Sequence, residues 1–340
     1  MHDVPRVSVI MIFRDAAAYI NEAVESVRLQ TLSDWELILV DDGSTDGSTA
    51  LAVQWVEREP ARIRYLHHEG HANLGMSASR NAGVAAARGE YVAFLDADDV
   101  YLAHRLEEHV ALLDEHPAVA AVQGRLWYWH GWHGGAGTAE DVAEAPPMGD
   151  FQGIVEAPVL LRLLLASRGA TAPGICSLTI RKALFKQLGG CDPSFRDLFE
   201  DQVLWAKLYL EHPVWVSSAV LARYRQHPDS STARAGGAAA LERARVRHLQ
   251  WLSDHLTRKG PPYAALLREV ERALWEYRHP VLWQLRRLPR RVLSMAIRLA
   301  RVALPTTVSQ ALARRWTSFK GHLHRQRLEA ARTRAGVRRG

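Results

Sequence analysis

Short apolar runs alternate with helical patterns over the first hundred residues, and this alternation constrains the fold more than any other feature. Residues 7–13 and 37–40 are buried-type strand segments, rich in branched side chains, and Ile20, Val24 and Val27 repeat between them at helical spacing. The same alternation continues through a strand at 63–66, an Ala-rich helix at 76–87 and a strand at 91–95. Strands separated by helices predict an α/β fold with a mostly parallel sheet and right-handed crossovers.

Acidic turns follow two of these strands directly. One is Asp96-Ala97-Asp98-Asp99 and the other is Asp41-Asp42. Ligands of parallel sheets bind beyond the carboxyl ends of the strands, so both turns are predicted to open on one crevice. If the chain stays extended, Asp96 and Asp98 point to the same side, where hard carboxylate oxygens suit Mg²⁺ or Mn²⁺. The alternative for each turn is a purely local role, in which the carboxylate bonds neighbouring backbone.

Several linked motifs resemble glycosyltransferase family 2. They are the end of the first strand, Ser26 to Thr31, Glu36-Leu37-Ile38-Leu39-Val40-Asp41-Asp42-Gly43-Ser44-Thr45-Asp46, Asn73-Leu74-Gly75, Ser79-Arg80-Asn81-Ala82-Gly83, and Asp96 to Asp99. The resemblance covers about the first two thirds of the chain. It implies a Rossmann-like GT-A fold and an inverting enzyme that uses a nucleotide-sugar donor.

The resemblance also assigns residues to the donor and to a divalent cation, Mg²⁺ or Mn²⁺. Asp42 holds the base, usually uracil, Asp96 contacts the ribose, and Asp98 is the main protein ligand of the metal. Ile12, Arg14 and Ala97 complete the nucleotide site, although Ile12-Phe13-Arg14-Asp15 departs from the family's usual Pro-x-Tyr/Phe-Asn.

Three further side chains are assigned by the same resemblance. Arg80 lies near the donor phosphates, the alternative being a helix-surface arginine in a solvent-side ion pair. Asp201, in the pair Glu200-Asp201, is the catalytic base, because inversion requires a carboxylate that takes the acceptor's proton. The alternative is an exposed acidic helical turn. His227 lies near the metal or the phosphates, and an ordinary surface-loop histidine is the other interpretation.

The chain is predicted to contain a glycosyltransferase domain at 1–235 and a basic helical extension at 236–340. The domain divides into a nucleotide-binding half, 1–125, and an acceptor and catalytic half, 126–235. Within the second half a strand is expected at 177–180 and a helix at 198–210. Residues 127–150 are expected to form a long loop or flap. Its aromatic residues either stack on a sugar ring, contact lipid or pack the sheet edge, and they are Trp127, Tyr128, Trp129 and Trp132.

The charge is strongly asymmetric. From Val281 onward fifteen Lys or Arg accompany one Glu, a formal +14, so the net +6 leaves −8 for residues 1–280. Between Val281 and Leu304 the arginines interleave with apolar residues at helical spacing, which favours a helix lying on an anionic membrane surface. The alternatives are packing against the acidic body or nucleic-acid binding, but no nucleic-acid recognition motif accompanies the charge, so no nucleic-acid partner is predicted.

Two cysteines cannot form a disulfide framework, and the sequence shows neither a signal core nor an apolar stretch of membrane-spanning length. The expected location is cytoplasmic, with possible peripheral contact with the inner membrane face. The expected reaction is a single, inverting transfer from a nucleotide sugar to a glycan or lipid-linked hydroxyl acceptor. Two alternatives are a sugar nucleotidyltransferase, which usually carries a Gly-rich loop after the first strand, and a catalytically silent sugar-nucleotide-binding protein.

Overall fold

The computed structural model describes residues 4–133, 142–143, 152–167, 172–196, 198–234 and 237–287. Ten strands form one mixed sheet in the order β3-β2-β1-β4-β9-β6-β10-β5, with β7 beside β6 and β8 beside β10. The strands are β1 (Val7–Phe13), β2 (Trp35–Asp41), β3 (Ile63–His67), β4 (Tyr91–Asp96), β5 (Val100–Tyr101), β6 (Ala121–Trp129), β7 (Val142–Ala143), β8 (Gly153–Val155), β9 (Leu178–Arg181) and β10 (Val214–Arg225). The α/β fold that the sequence predicts is confirmed.

Eleven α-helices are described. They are α1 (Ile20–Arg28), α2 (Ser48–Arg58), α3 (Met76–Ala86), α4 (Arg105–Glu115), α5 (Val159–Ala166), α6 (Lys182–Gln187), α7 (Glu200–Glu211), α8 (Ser231–Arg234), α9 (Gly237–Lys259), α10 (Ala264–Arg278) and α11 (Pro280–Arg287). Four short 3₁₀ turns are also described, at 69–71, 131–133, 175–177 and 261–263. In the described part of the chain, no helix has both the length and the apolar character needed to cross a bilayer.

The parallel strands β3, β2, β1 and β4 align the acidic turns. Every residue of β1 and β2 is buried, as their apolar sequences predict for strands covered on both faces. In the register of the sheet, Phe13 pairs with Asp41 and Ile12 with Asp96. The carboxyl ends of three neighbouring strands therefore finish at one edge, and this edge forms the floor of the candidate site.

The second half of the sheet is built by pairing between distant segments. Strand β9 runs antiparallel between β4 and β6, while β10 runs parallel to β6 and antiparallel to β5. The β10 pairing corrects one prediction, because Trp127, Tyr128 and Trp129 belong to β6 rather than to a loop. Their partners, Arg223 to Arg225, come from almost a hundred residues later, so local sequence could not show the pairing. Most of the remaining predicted flap lies outside the described residues.

The chain divides into two compact units, Met1–Leu274 and Trp275–Gly340. The predicted boundary between 235 and 236 therefore falls inside the first unit. The physical reason is that Ala244 and Trp251 of α9 pack against Phe195, Phe199 and Val203 around the start of α7. Of the second unit only residues 275–287 are described. The predicted membrane-binding segment begins at 281, so its first seven residues are described and the rest, from 288 onward, lies outside the described residues.

Candidate active site

A cavity of about 1000 Å³ opens at the carboxyl ends of the parallel strands. Eight of the nine predicted site residues line it: Ile12, Arg14, Asp42, Asp96, Ala97, Asp98, Asp201 and His227. The ninth, Arg80, does not line the cavity and is buried. The fold thus brings carboxylates from the turn after β2, from the turn after β4 and from α7 to one cleft, although they are separated by more than fifty residues of sequence at each step.

The acidic turn after β4 faces the cavity through a tight backbone turn. The amide of Asp99 donates to the carbonyl of Asp96 at 3.0 Å, so the chain is no longer extended when it reaches Asp98. Both Asp96 and Asp98 line the cavity, as the sequence predicts, but the turn rather than strand alternation places them. Asp99 instead points inward, where burial raises the pKa of its carboxyl well above the usual value and the neighbouring Asp98 and Asp96 raise it further.

Asp98 contacts His227, and His227 in turn contacts Tyr19. Its Oδ2 lies 3.0 Å from Nε2 of His227, whose Nδ1 lies 3.2 Å from the hydroxyl of Tyr19. The Tyr19 and His227 rings are also in contact, with centroids 4.7 Å apart. His227 is therefore not a loose surface residue, because its ring is oriented from one side and bonded to the acidic turn from the other.

One carboxylate oxygen and one imidazole nitrogen at this spacing are chemically suited to a divalent cation. Among the described residues, no group of three or more His, Cys, Asp or Glu side chains is arranged to hold a metal. Asp98 and His227 fit the pattern in which Mg²⁺ or Mn²⁺ binds through few protein groups and completes its coordination with substrate phosphates.

Arg225, at the end of β10, fixes the turn from behind. Its amide donates to Oδ1 of Asp99 at 3.0 Å and its Nε donates to the carbonyl of Asp98 at 2.7 Å. A third bond joins its Nη2 to Glu22 at 2.5 Å. Because the guanidinium satisfies the backbone of the acidic turn, the carboxylate of Asp98 is left to face the cavity. Arg225 is not among the site residues predicted from the sequence.

Arg80 is a buried bridge between the two acidic motifs. Only 1% of its surface is exposed, and its guanidinium lies 2.8 Å from Asp96 and 2.5 Å from Glu200. Burial alone lowers the pKa of this guanidinium, but the facing carboxylates outweigh it, so the net pKa is raised well above normal. The interpretation of Arg80 as a helix-surface arginine is wrong. Its contact with donor phosphates stays a prediction, and the described geometry gives it a positioning role.

Asp201 lies in the first turn of α7, beside Glu200. Burial, and then the charge of Glu200, raise the pKa of Asp201 to about 7, while Arg80 acts in the opposite direction. The residue before the pair, Phe199, has φ of 67°, a left-handed conformation that is uncommon for a non-glycine residue. This backbone turn directs the start of α7 at the cavity, and the acidic pair is not the exposed surface feature of the alternative interpretation.

Asp42 is bound to a distant backbone loop rather than to its own turn. Its Oδ1 accepts the amides of Leu74 and Gly75 at 2.8 and 3.0 Å, and Asn73 donates to its Oδ2 at 3.2 Å. The purely local alternative is therefore wrong. Gly75 has φ of 91°, a left-handed value that suits glycine and turns the loop against Asp42. Asp42 still lines the cavity, so it both anchors this loop and faces the open space of the site.

Other residues at the cavity were not predicted from sequence. They are Tyr19, Arg196, Arg243 and Arg247, together with the positioning residue Arg225. The spacing of Arg243 and Arg247 on one helix was the only available signal. The aromatic residues after β6 are better explained by packing, because Nε1 of Trp132 donates to the carbonyl of Gln226 and its ring meets Tyr19 edge-on.

Residues 8–139 match the family described as Glycosyl transferase family 2. These residues form a family 2 glycosyltransferase domain. An uncharacterized glycosyltransferase of Nostoc sp. is 42% identical over 117 residues, which are 34% of this chain and 35% of that protein. The chain thus matches only about a third of the length of that relative.

Two solved structures share the fold of this glycosyltransferase domain across most of the chain. TarS 1–349 of S. aureus, in complex with UDP-GlcNAc, aligns with a TM-score of 0.58 and 20% identity, covering 81% of this chain and 72% of that one. The mannosyltransferase PcManGT of Pyrobaculum calidifontis, in complex with GDP-Man and Mn²⁺, aligns with a TM-score of 0.51 and 18% identity, covering 94% and 85%. Identities this low establish the common fold only.

Proposed function

We propose that this protein is an inverting glycosyltransferase that moves a sugar from a uridine-nucleotide donor to a hydroxyl acceptor. The observation that carries the proposal is the meeting of Asp42, Asp98 and Asp201 in one cavity. The resemblance predicts three carboxylates: one that binds the donor, one that binds the metal and one that acts as the general base. In this chain the three candidates come from three separate segments. TarS, with the same fold, was solved with UDP-GlcNAc, which supports the choice of a uridine nucleotide.

The donor nucleotide is assigned to the floor of the cavity. Asp42 accepts hydrogen bonds from the base, Ile12 and Arg14 lie along its edge, and Asp96 and Ala97 face the ribose. Asp98 and His227 would hold the divalent cation, which would neutralise the diphosphate leaving group. The position of the Asp98 carboxylate depends on the hydrogen bond that Arg225 donates to the backbone carbonyl of Asp98.

Asp201 performs the proton transfer. Its carboxylate takes the proton of the acceptor hydroxyl while that oxygen attacks the anomeric carbon, and the bond from this carbon to the diphosphate oxygen breaks. The nucleoside diphosphate leaves with the electron pair of that bond, opposite the attacking oxygen, so the anomeric configuration inverts. A pKa of about 7 leaves a substantial deprotonated fraction at neutral pH, as a base of this kind requires.

The acceptor is proposed to be a glycan or a lipid-linked glycan, and the basic segment from 281 onward to contact the membrane surface where such acceptors lie. Neither alternative function is favoured by the cavity. A nucleotidyltransferase would need a glycine-rich phosphate loop, and the segment after β1, residues 14–18, contains no glycine. A silent binding protein would have no use for a partly exposed carboxylate in the cavity whose pKa is raised to about 7.

The proposal predicts that Asp98→Asn abolishes metal-dependent donor binding. In calorimetric titrations of UDP with Mn²⁺, we expect an affinity loss of at least about 10- to 100-fold, the range seen for disturbed metal shells. UDP binding without metal should change little. Asp254→Asn, which removes an exposed carboxylate from α9, is the matched control and should bind like the unaltered protein. Equal Mn²⁺-dependent affinity in Asp98→Asn would exclude Asp98 as the metal ligand.

The pH dependence of transfer should follow Asp201. Because a general base acts when deprotonated and its pKa is raised to about 7, the rate should increase with pH and level off above neutrality, with a midpoint near 7. We expect this profile in turnover measured with saturating donor and Mg²⁺ between about pH 5.5 and 8.5. A rate that is flat through this range would show that another group takes the proton.

A further inference from the structure

Three arginines form a cationic wall on the side of the cavity nearest α9. Arg243 and Arg247 lie one helical turn apart on α9, and Arg196 lies on the loop before α7. All three side chains line the cavity and are exposed to it rather than buried. We call Arg196, Arg243 and Arg247 the arginine wall. The donor and metal residues described above do not include any member of this wall.

Two members of the wall are held in place by uncharged groups. The Nη2 of Arg196 donates to the carbonyl and the side-chain oxygen of Asn73, at 2.9 and 3.1 Å. The Nη2 of Arg247 donates to the carbonyl of Ser194, and its guanidinium lies 4.7 Å from the centroid of the Phe195 ring. Each contact uses only part of a guanidinium that carries five donors, so both groups are oriented with donors to spare.

The charge of the wall is uncompensated within the part of the chain that the structure describes. Arg14 and Arg234 also line the cavity, but they lie 3.7 and 2.9 Å from Asp15 and Asp229. The arginine wall has no carboxylate within ion-pair distance among the described residues. A protein that places about three uncompensated positive charges in a cleft favours an anionic ligand there.

The position of the wall separates it from the proposed metal site. Arg243 and Arg247 come from the helix that packs on Phe195 and Phe199, immediately before Glu200 and Asp201. Asp98 and His227 are supplied by the opposite half of the site, at the ends of β4 and β10. An anion held by Arg243 and Arg247 is therefore on the side of the cavity that carries the proposed base, rather than at the cation that neutralises the leaving diphosphate. Arg196 borders the donor side as well, because Asn73, to which it donates, also donates to Asp42.

We propose that the arginine wall binds a phosphate group carried by the acceptor, next to the hydroxyl that receives the sugar. This inference rests on the proposed function and narrows its substrate class. Guanidinium groups bind phosphate through paired hydrogen bonds, and three of them match a dianionic phosphate or a diphosphate better than a single carboxylate. The phosphate belongs either to a lipid carrier or to a sugar, and both offer the wall the same chemistry.

The test uses the full chain with UDP and Mn²⁺ saturating the donor site. Hexyl phosphate represents a lipid phosphate, glucose 6-phosphate represents a sugar phosphate, and hexanoate and hexanol are the carboxylate and neutral comparisons. We expect either phosphate to bind in calorimetric or NMR titrations and the comparison compounds to bind at least about 10-fold more weakly. The phosphate that binds more tightly identifies the source.

Arg243→Gln and Arg247→Gln should each weaken phosphate binding by about 10-fold or more, since each removes a charged hydrogen-bond partner. Arg258→Gln, on the same helix but away from the cavity, is the matched control and should have no effect. Circular dichroism checks that each variant folds. For all three variants the affinity for UDP with Mn²⁺ should stay within about two-fold of the unaltered protein, because the donor lies elsewhere.

Three results would overturn the inference. Phosphate binding could be the same in the wall variants and in Arg258→Gln, hexanoate could bind as tightly as the phosphates, or UDP affinity could fall in Arg243→Gln. The last result would assign the wall to the donor diphosphate. Failure of the proposed function has a different signature, namely no Mn²⁺-dependent binding of UDP to the unaltered protein in the first place.

Discussion

Asp201→Asn is expected to lower sugar transfer by about 10²- to 10⁴-fold while leaving donor binding intact. Removal of a positioned general base lowers the rate by a factor in this range. The amide is nearly the same size as the carboxylate, so the shape of the site is preserved. Asp201 lies in the cavity but is not among the groups assigned to the nucleotide or the cation, so UDP and Mn²⁺ should bind within about two-fold of normal. Release of UDP from a panel of donors and acceptors measures the rate, and calorimetry measures the binding.

The control for this variant is Asp34→Asn, which makes the same chemical change at an exposed position before β2. It should retain full activity. The residual rate of Asp201→Asn should also lose its rise near pH 7, because the titrating group is gone. An Asp201→Asn protein that turns over at the normal rate would remove the base assignment and leave the donor and metal assignments standing.

Local patterns in the sequence were sufficient for the nucleotide-binding half. The strands β1, β2 and β4 are apolar runs whose burial on both faces follows from composition, and the intervening helices follow from spacing. The acidic turns at Asp42 and Asp98 then reach one edge because parallel strands end together. No long-range information is needed for that step, and the six predicted residues of this half that line the cavity are Ile12, Arg14, Asp42, Asp96, Ala97 and Asp98.

The other half depends on contacts between segments that the sequence does not connect. Strand β9 inserts antiparallel beside β4, and β10 reaches the acidic turn only through its pairing with β6 and β5. The roles of Arg225 and of α9 follow from that pairing and packing. For the same reason the predicted loop at 127–129 is a strand, and a boundary drawn from composition at 235 misses the packing of α9 on α7.

Arg80 was predicted as a phosphate contact, and the structure places it where its loss should affect stability most. Asp96 and Glu200 both face its guanidinium at 2.8 Å or less and are largely desolvated. Removing one partner of a buried ion pair typically costs about 3–5 kcal/mol, because the remaining charges lose their compensation. Arg80→Gln should therefore lower the free energy of unfolding by about this amount, measured in urea at neutral pH.

The pH dependence of this effect has a definite sign. Burial raises the pKa of Asp96 and of Glu200, and the Arg80 guanidinium counteracts it in both. Without the guanidinium both carboxyls bind protons more readily, so the folded variant should be destabilised less in mild acid and more at higher pH. The stability difference between Arg80→Gln and the unaltered protein should accordingly grow as the pH increases from about 5 to 8.

Two comparisons separate this positioning role from direct binding of the donor. Arg58→Gln removes an exposed arginine from α2 and should change the free energy of unfolding by no more than about 0.5 kcal/mol. Arg80→Lys keeps the charge but loses the fork that reaches two carboxylates, so it should fall between the other two variants. Arg80→Gln could instead have the same free energy of unfolding as Arg58→Gln and only weaken UDP binding. That result would show that the guanidinium acts on the phosphates and that its bridge between the two acidic motifs contributes little to stability.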